Sequence, residues 1–173
     1  MGILDFLFGK SEPQKKVMPI LKPENLQPVD APISTTEAKK IFREWMLKIG
    51  YLDKEEVADH VKYFADEMKE QDENFKIYID EEKEDIEGSI NDEKEEIMSL
   101  KEELKSCKDP QEKEEILDAI KDCETNIADY KADLADRIAA LKGKQTAFKT
   151  DKREFLIDYI NTQVHGSDWK EKN

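Results

Sequence analysis

Apolar residues recur every three or four positions along two long stretches, residues 54–107 and 110–165. The second stretch shows the spacing most clearly, at Ile116, Ile120, Cys123, Ile127, Tyr130 and Leu134. This spacing places apolar side chains on one face of an α-helix, whereas no stretch alternates apolar and polar residues as an exposed strand would. The pattern predicts an all-α protein built around two long helices.

The two helices meet at Asp109-Pro110-Gln111-Glu112. Asp109 suits the cap position, Pro110 the first helical position and Glu112 the third, so a helix is expected to begin here. About this turn, the apolar residues of the two stretches pair in antiparallel order. The pattern therefore predicts a long antiparallel helical hairpin, a coiled coil. The pairs are Val57/Ile160, Val61/Leu156, Met68/Phe148, Phe75/Leu141, Ile79/Ile138, Ile90/Ile127, Ile97/Ile120 and Leu100/Leu117.

A shorter helix is predicted over residues 35–49. Ser34 and Glu37 form the pattern of a capping box, and Gly50 is a natural stop. Its broad apolar face must be buried, and the open end of the hairpin is the expected site. We therefore predict a three-helix base in which the short helix packs on the aromatic residues Tyr63, Phe64, Phe75, Phe155 and Tyr159.

Two signals in the sequence bear on whether the second long helix is continuous. Gly143 is a weak helix former, and Asp151 to Glu154 repeats the spacing of a helix start. Phe148 and Leu156 nevertheless keep the spacing of the paired apolar residues between the two long helices, which we call the seam. We expect one continuous or kinked helix over 110–165. The helical domain is then residues 34–165, and residues 166–173 form a frayed tail in which Trp169 is placed to cap the base.

The N-terminal residues form two further segments. Residues 1–9 are an apolar docking segment with five large side chains, at Ile3, Leu4, Phe6, Leu7 and Phe8. Residues 10–33 contain five prolines and cannot form a regular helix, so they are expected to act as a semi-rigid tether or to drape over the helices. The docking segment could bind a protein partner, the chain's own helices or a membrane interface.

Charge narrows the choice of partners. The net charge is −14, which argues against nucleic acid as a partner. The basic cluster formed by Lys142, Lys144, Lys149, Lys152 and Arg153 is expected to pair with acids at 66–73. The most acidic part of the hairpin is either a solvated face or a docking surface for a basic partner. Its residues are Asp80, Glu81, Glu84, Asp85, Asp92, Glu95 and Glu96.

No catalytic, cofactor-binding or metal-binding motif occurs in the sequence, so none of these sites is predicted. The two cysteines are expected to be reduced and the protein cytoplasmic. These features predict a non-enzymatic coiled-coil adaptor, scaffold or accessory subunit that binds a protein partner. The binding surfaces would be the N-terminal segment and the most acidic part of the hairpin, which we call the acidic arm. The alternative is a scaffold anchored to a membrane surface by the N-terminal segment. A homodimer formed through the acidic arm is a further alternative.

Overall fold

A computed structural model describes residues 17–27 and 30–171. The described residues form four α-helices: α1 (Thr35–Ile49), α2 (Val57–Ser106), α3 (Pro110–Thr150) and α4 (Arg153–His165), with a short 3-10 turn at Pro23–Asn25. The described residues divide into a terminal unit, residues 17–27, 30–61 and 153–171, and a central unit, residues 62–152. The all-α fold class is confirmed.

The capping signals in the sequence set the ends of α1 and the start of α3. The Ser34 hydroxyl accepts from the Glu37 amide at 3.2 Å, and the Glu37 carboxylate accepts from the Ser34 amide at 3.0 Å. Gly50 ends α1 with a φ of 70°, in the left-handed region. At the start of α3, the Asp109 carboxylate accepts from the amides of Gln111 and Glu112 at 2.8 and 3.2 Å.

The terminal unit has its own core between α1 and α4. Phe42 of α1 is 1% exposed and meets the edge of the Tyr159 ring in α4, with the ring centroids 5.9 Å apart. Phe155 stacks on Tyr159 at the same separation. Of the aromatic residues expected in the base, these two lie in the terminal unit, whereas Tyr63, Phe64 and Phe75 belong to the central unit.

Most of the described part of the proline-rich segment is attached to this core. Leu21, Leu26 and Ile33 are each no more than 1% exposed. The segment from Leu21 to Ile33 therefore follows the draping alternative where it is described, because these three side chains are part of the core, whereas Val17 is 92% exposed. Residues 10–16, 28 and 29 of the predicted tether lie outside the described residues.

In the central unit, α2 and α3 are connected by several side-chain contacts. The Asn126 amide donates to Glu93 at 3.0 Å, Arg137 donates to Glu82 at 3.2 Å, and Gln145 donates to the Asp72 carboxylate at 3.1 Å. Residue numbers rise along α3 as they fall along α2. A cluster of Ile97, Ile116, Ile120 and Cys123 is buried near the turn, with Leu100, Leu104, Cys107 and Ile127 packed against it.

The prediction of one helix over 110–165 is wrong. α3 ends at Thr150 and α4 begins at Arg153, because Asp151 is extended, with φ −137° and ψ 121°. The break falls at the helix-start pattern of residues 151–154 and not at Gly143, which lies inside α3. The ammonium of Lys152 donates to the Phe148 carbonyl and so satisfies an acceptor in the last turn of α3.

The predicted pair Leu100/Leu117 is also wrong, because the Leu117 side chain is 53% exposed. Ile116 and Leu117 are adjacent in sequence, so only one of them can face α2. Ile116 takes the buried position. It precedes Ile127 by 11 residues and Ile138 by 22, and a spacing of 11 residues returns to the same side of a helix after three turns.

Residues 166–171 are folded rather than frayed. The Trp169 amide donates to the Gly166 carbonyl at 3.2 Å, and its indole N–H donates to the Asp158 carboxylate of α4 at 3.2 Å. Lys170 also pairs with Asp158, at 2.7 Å. Residues 166–171 therefore turn back along α4, where Trp169 and Lys170 both contact Asp158.

Gly88 and Gly143 lie inside helices, and a Cβ added at either position would meet no atom within 4 Å. Replacing either glycine by alanine is therefore expected to raise the free energy of unfolding by about 0.5–1 kcal/mol, because alanine restricts the unfolded chain more. Thermal denaturation followed by circular dichroism measures this. Gly166 is the control: its φ is +92° and a Cβ would lie 3.3 Å from an Asp168 oxygen, so Gly166→Ala should destabilise. A loss of stability with Gly88→Ala would contradict its placement.

Candidate interaction surfaces

The buried residues of α2 follow an 11-residue repeat. Phe64, Phe75, Ile86 and Ile97 form one row, and Met68, Ile79 and Ile90 form a second. All are buried except Ile86, which is partly exposed. Eleven residues in three turns correspond to 3.67 residues per turn, slightly more than in a straight α-helix. The same repeat places Ile116, Ile127 and Ile138 in one row of α3.

Acidic residues of α2 keep the same repeat on the opposite side of the helix. One row contains Glu70, Glu81, Asp92 and Glu103, and another contains Glu73, Glu84 and Glu95. All seven side chains are exposed. At about 98° per residue, both rows lie about 150° from the middle of the buried rows, and successive members are about 16 Å apart. We call these two rows the acidic rows.

The structure places every acidic residue singled out in the sequence on the surface of α2. Glu81, Glu84, Asp92 and Glu95 belong to the acidic rows, and Asp85 and Glu96 are 11 residues apart beside them. Of the seven acidic residues singled out in the sequence, only Asp80 has an ion pair within the described part of the chain, with Lys83 at 3.2 Å. In the acidic rows, Glu73 pairs with Lys69 at 3.9 Å. The surface therefore carries a regular array of carboxylates that receives little neutralisation from the chain itself.

The basic cluster meets several different acceptors. Lys149 lies 3.4 Å from Asp72, as the charge-pairing prediction implies. Burial raises the pKa of the Asp72 carboxyl, but hydrogen bonds from Gln145 and Lys149 outweigh burial and hold this pKa below its usual value. Lys152 is 6% exposed, and burial lowers the pKa of its ammonium. Arg153 donates to the Ala31 carbonyl at 2.8 Å.

Both cysteines are free thiols. A hydrogen bond to Glu93 and burial raise the pKa of Cys123, and burial and a hydrogen bond to Glu112 raise that of Cys107. Thiols with raised pKa values are poor nucleophiles at neutral pH. The surroundings of the two residues thus favour packing over reactivity.

A hydrogen-bonded clamp fixes the proline-rich segment to α4. Asn161 is fully buried, and its side chain accepts from the Leu21 amide and donates to the Leu21 carbonyl, both at 2.8 Å. The His165 ring lies 3.3 Å from the Pro19 carbonyl oxygen. The predicted docking residues Ile3, Leu4, Phe6, Leu7 and Phe8 lie outside the described residues.

The terminal unit also contains an open groove of about 360 Å³ between α1 and the loop at 25–27. Trp45 and Ile41, both partly exposed, supply apolar surface together with Leu26. Charged side chains complete the lining. Ile41 and Trp45 belong to the apolar face of α1 that the sequence predicts to be buried. The groove itself has no signal in the sequence, because the loop that forms its other wall has no periodic pattern.

None of the helices in the described part of the chain is apolar enough over a sufficient length to cross a bilayer. Within residues 17–27 and 30–171, no group of three or more His, Cys, Asp or Glu side chains is arranged to hold a metal ion. Comparison with models of protein families, with curated proteins and with solved structures gave no match.

Proposed function

We propose that this chain is a non-enzymatic adaptor in which α2 and α3 pair as an antiparallel coiled-coil hairpin and present the acidic rows to a basic protein partner. The observation that carries the proposal is the shared 11-residue repeat of the buried rows and the acidic rows. A common repeat keeps the carboxylates on one side over the length of the helix. Solubility alone requires charge on the surface but no such regularity.

The hairpin arrangement is supported by the contacts between α2 and α3. The hydrogen bond from Arg137 to Glu82 lies 11 residues further along α3 than the one from Asn126 to Glu93, and 11 residues earlier along α2. The turn at 107–109 is only three residues long. So short a connection favours antiparallel neighbours.

A basic partner would relieve repulsion within the acidic surface. Glu81 and Asp85 are one turn apart, as are Asp92 and Glu96, and like charges at this spacing destabilise a helix slightly. Positive side chains of a partner that repeat at about 16 Å would match each row. Electrostatic attraction of this kind accelerates association and weakens as salt is added.

The N-terminal segment is the second proposed contact with the partner. Five large apolar side chains in residues 3–8 suit a hydrophobic pocket on a protein, and this role remains a prediction. Insertion into a membrane surface is the alternative. Co-sedimentation with lipid vesicles that is abolished by Phe6→Asp would favour the membrane and overturn this part of the proposal.

The acidic surface is tested with a variant in which six carboxylates are replaced by amides. The changes are Glu81→Gln, Glu84→Gln, Asp85→Asn, Asp92→Asn, Glu95→Gln and Glu96→Gln. A matched control replaces six exposed acids of α3, namely Glu114, Asp118, Asp122, Glu124, Asp129 and Asp136. Partners captured by the natural protein are identified by mass spectrometry, purified and titrated by calorimetry at two salt concentrations.

We expect the α2 variant to weaken binding about tenfold or more and to reduce its salt dependence, because the neutralised groups face the partner. The α3 control should retain most of the affinity. Equal losses in both variants would show that only total charge matters. Unchanged binding by the α2 variant would also contradict the proposal.

A further inference from the structure

The lysines of α2 follow the same 11-residue repeat as its buried residues and its acidic rows. Lys83, Lys94 and Lys105 stand 11 residues apart, and all three side chains are exposed. Because 11 residues return to the same side of a helix after three turns, these side chains form one row along α2, with successive members about 16 Å apart. We call this the lysine row.

Acidic residues stand two positions before and after these lysines. Lys94 lies between Asp92 and Glu96. Lys83 is flanked in the same way, and Lys105 has an acid two positions before it. Two positions correspond to about 196° of rotation, so these carboxylates point almost directly away from the lysine row and lie only about 3 Å above or below its members. We call this opposite surface the acidic flank. Its residues, all exposed, are Glu81, Asp85, Asp92, Glu96 and Glu103.

Opposite surfaces with the same repeat are complementary between two copies of the chain. When a second α2 lies beside the first in the same direction, without rotation and without a shift along the helix axis, its acidic flank faces the lysine row of the first. Lys94 of one copy is then level with the space between Asp92 and Glu96 of the other. The match recurs along the row, because both surfaces repeat every 11 residues.

The side chains of these two surfaces have few competing partners within the chain. Lys83 pairs with Asp80 at 3.2 Å and Lys105 with Glu102 at 2.7 Å, in both cases between exposed residues of the same helix. In the described part of the chain, neither Lys94 nor any residue of the acidic flank forms an ion pair. Exposed pairs within one helix contribute little stability. The lysines can therefore exchange those acids for the carboxylates of a second copy.

An exposed apolar side chain lies beside the lysine row. Met98 is 68% exposed and follows Lys94 by one helical turn. Leu100, which is partly exposed, stands two positions after Met98 and so points almost directly away from it. In two parallel copies without a shift, Met98 of one therefore faces Leu100 of the other. Contact between them removes apolar surface from water and adds to the attraction between the charges.

We propose that copies of this chain associate in parallel through α2, with the lysine row of one copy against the acidic flank of the next and Met98 against Leu100. The two contacting surfaces differ, so each pair of copies leaves one lysine row and one acidic flank free, and further copies can be added. The net charge of −14 makes two copies repel in most other arrangements. The proposal involves α2 alone and holds whether or not the acidic rows bind a different protein.

Equilibrium sedimentation of the purified full chain, at concentrations up to about 1 mM and in about 20 mM or about 300 mM salt, measures this association. The lysine-row variant carries Lys83→Gln, Lys94→Gln and Lys105→Gln. The acidic-flank variant carries Glu81→Gln, Asp85→Asn, Asp92→Asn, Glu96→Gln and Glu103→Gln. The control changes the net charge as the lysine-row variant does, but at exposed lysines of α3, by Lys121→Gln, Lys131→Gln and Lys144→Gln. Circular dichroism verifies that each variant keeps its helical content.

We expect the natural protein to form dimers and larger species as its concentration rises, and to do so less in the higher salt, because salt screens exposed charges. The lysine-row variant and the acidic-flank variant should each weaken association about tenfold or more, whereas the α3 control should retain most of it. The acidic-flank variant gives the sharpest contrast. It carries less negative charge than the natural protein, so it would associate more readily if general repulsion alone mattered.

A mixture of the two variants tests the arrangement of the copies. The lysine-row variant retains its acidic flank, and the acidic-flank variant retains its lysine row. An equimolar mixture therefore offers one intact pair of surfaces, and we expect dimers with one copy of each variant that do not grow further.

Four results would overturn this proposal. They are a natural protein that stays monomeric at every concentration and both salt levels, an acidic-flank variant that associates at least as strongly as the natural protein, an α3 control that loses as much association as the lysine-row variant, and a mixture that forms no dimers. None of them bears on the proposed binding of a basic partner to the acidic rows, because that binding is measured by titration with the captured partner.

Discussion

Replacement of Asn161 by alanine is expected to lower the free energy of unfolding of the terminal unit by about 3–5 kcal/mol. Asn161 is fully buried and makes both hydrogen bonds of the clamp with the Leu21 backbone, each 2.8 Å long. Alanine removes both partners and leaves a buried N–H and a buried C=O unsatisfied, each worth about 1–3 kcal/mol. Urea denaturation followed by tryptophan fluorescence measures the effect, since Trp45 and Trp169 both belong to the terminal unit.

The matched control for this prediction is Asn126→Ala. Asn126 also donates an amide hydrogen bond, to Glu93, but it is exposed at the surface of the central unit. Water can replace that bond, so the loss should stay below about 0.5 kcal/mol. Similar effects of the two substitutions would mean that the Asn161 clamp is not a buried contact.

Replacement of Phe42 by alanine is expected to lower the free energy of unfolding of the same unit by about 3–5 kcal/mol. Phe42 is 1% exposed and packs against Tyr159, so truncation removes a large apolar side chain and leaves a cavity between α1 and α4. The same denaturation experiment measures it. Helicity at 222 nm, which reports mainly α2 and α3, separates loss of the terminal unit from global unfolding.

Phe42→Leu provides a graded comparison. Leucine fills more of the space than alanine does, and the loss should fall to about 1–1.5 kcal/mol. If the two substitutions destabilise equally, the aromatic contact with Tyr159 rather than the filled volume determines stability. If neither destabilises, α1 does not pack on α4 as described.

The sequence was sufficient where structure depends on neighbouring residues. The cap at Ser34, the stop at Gly50 and the start at Asp109 each involve groups within a few positions of one another. The three-to-four spacing likewise identified the long helices. The start of α2 was less exact: Asp53 caps a turn through the amides of Glu55 and Glu56, but the helix begins at Val57.

The break at Asp151 could not be decided from periodicity. Phe148 and Leu156 keep the seam spacing across it, whereas the helix-start pattern at 151–154 argues for an interruption. Local capping outweighed the continued spacing, because extended backbone at Asp151 lets α4 begin afresh and Lys152 satisfies the Phe148 carbonyl. The attachment of Leu21 to Asn161 was equally hidden, since the two residues are 140 positions apart.

The 11-residue repeat is present in the sequence, but neither the three-to-four spacing nor the pairing of apolar residues across the turn reveals it. Alignment of residues 70–102 in steps of 11 would have revealed both the buried rows and the acidic rows. The same repeat in α3, at Ile116, Ile127 and Ile138, selects Ile116 over Leu117 for the contact with α2. The groove beside Trp45, in contrast, requires the position of a non-helical loop.

The antiparallel register of α2 and α3 is the central claim, and crosslinking of paired cysteines tests it most directly. In a background with Cys107→Ala and Cys123→Ala, cysteines are placed at Glu82 and Arg137, or at Glu93 and Asn126, which are in contact. The same sites are then exchanged, as 82 with 126 and 93 with 137, which displaces each pair by 11 residues, about 16 Å. A short thiol crosslinker should link the first two pairs within one chain and leave the exchanged pairs unlinked. Equal linkage of the exchanged pairs, or linkage only between two chains, would contradict the hairpin.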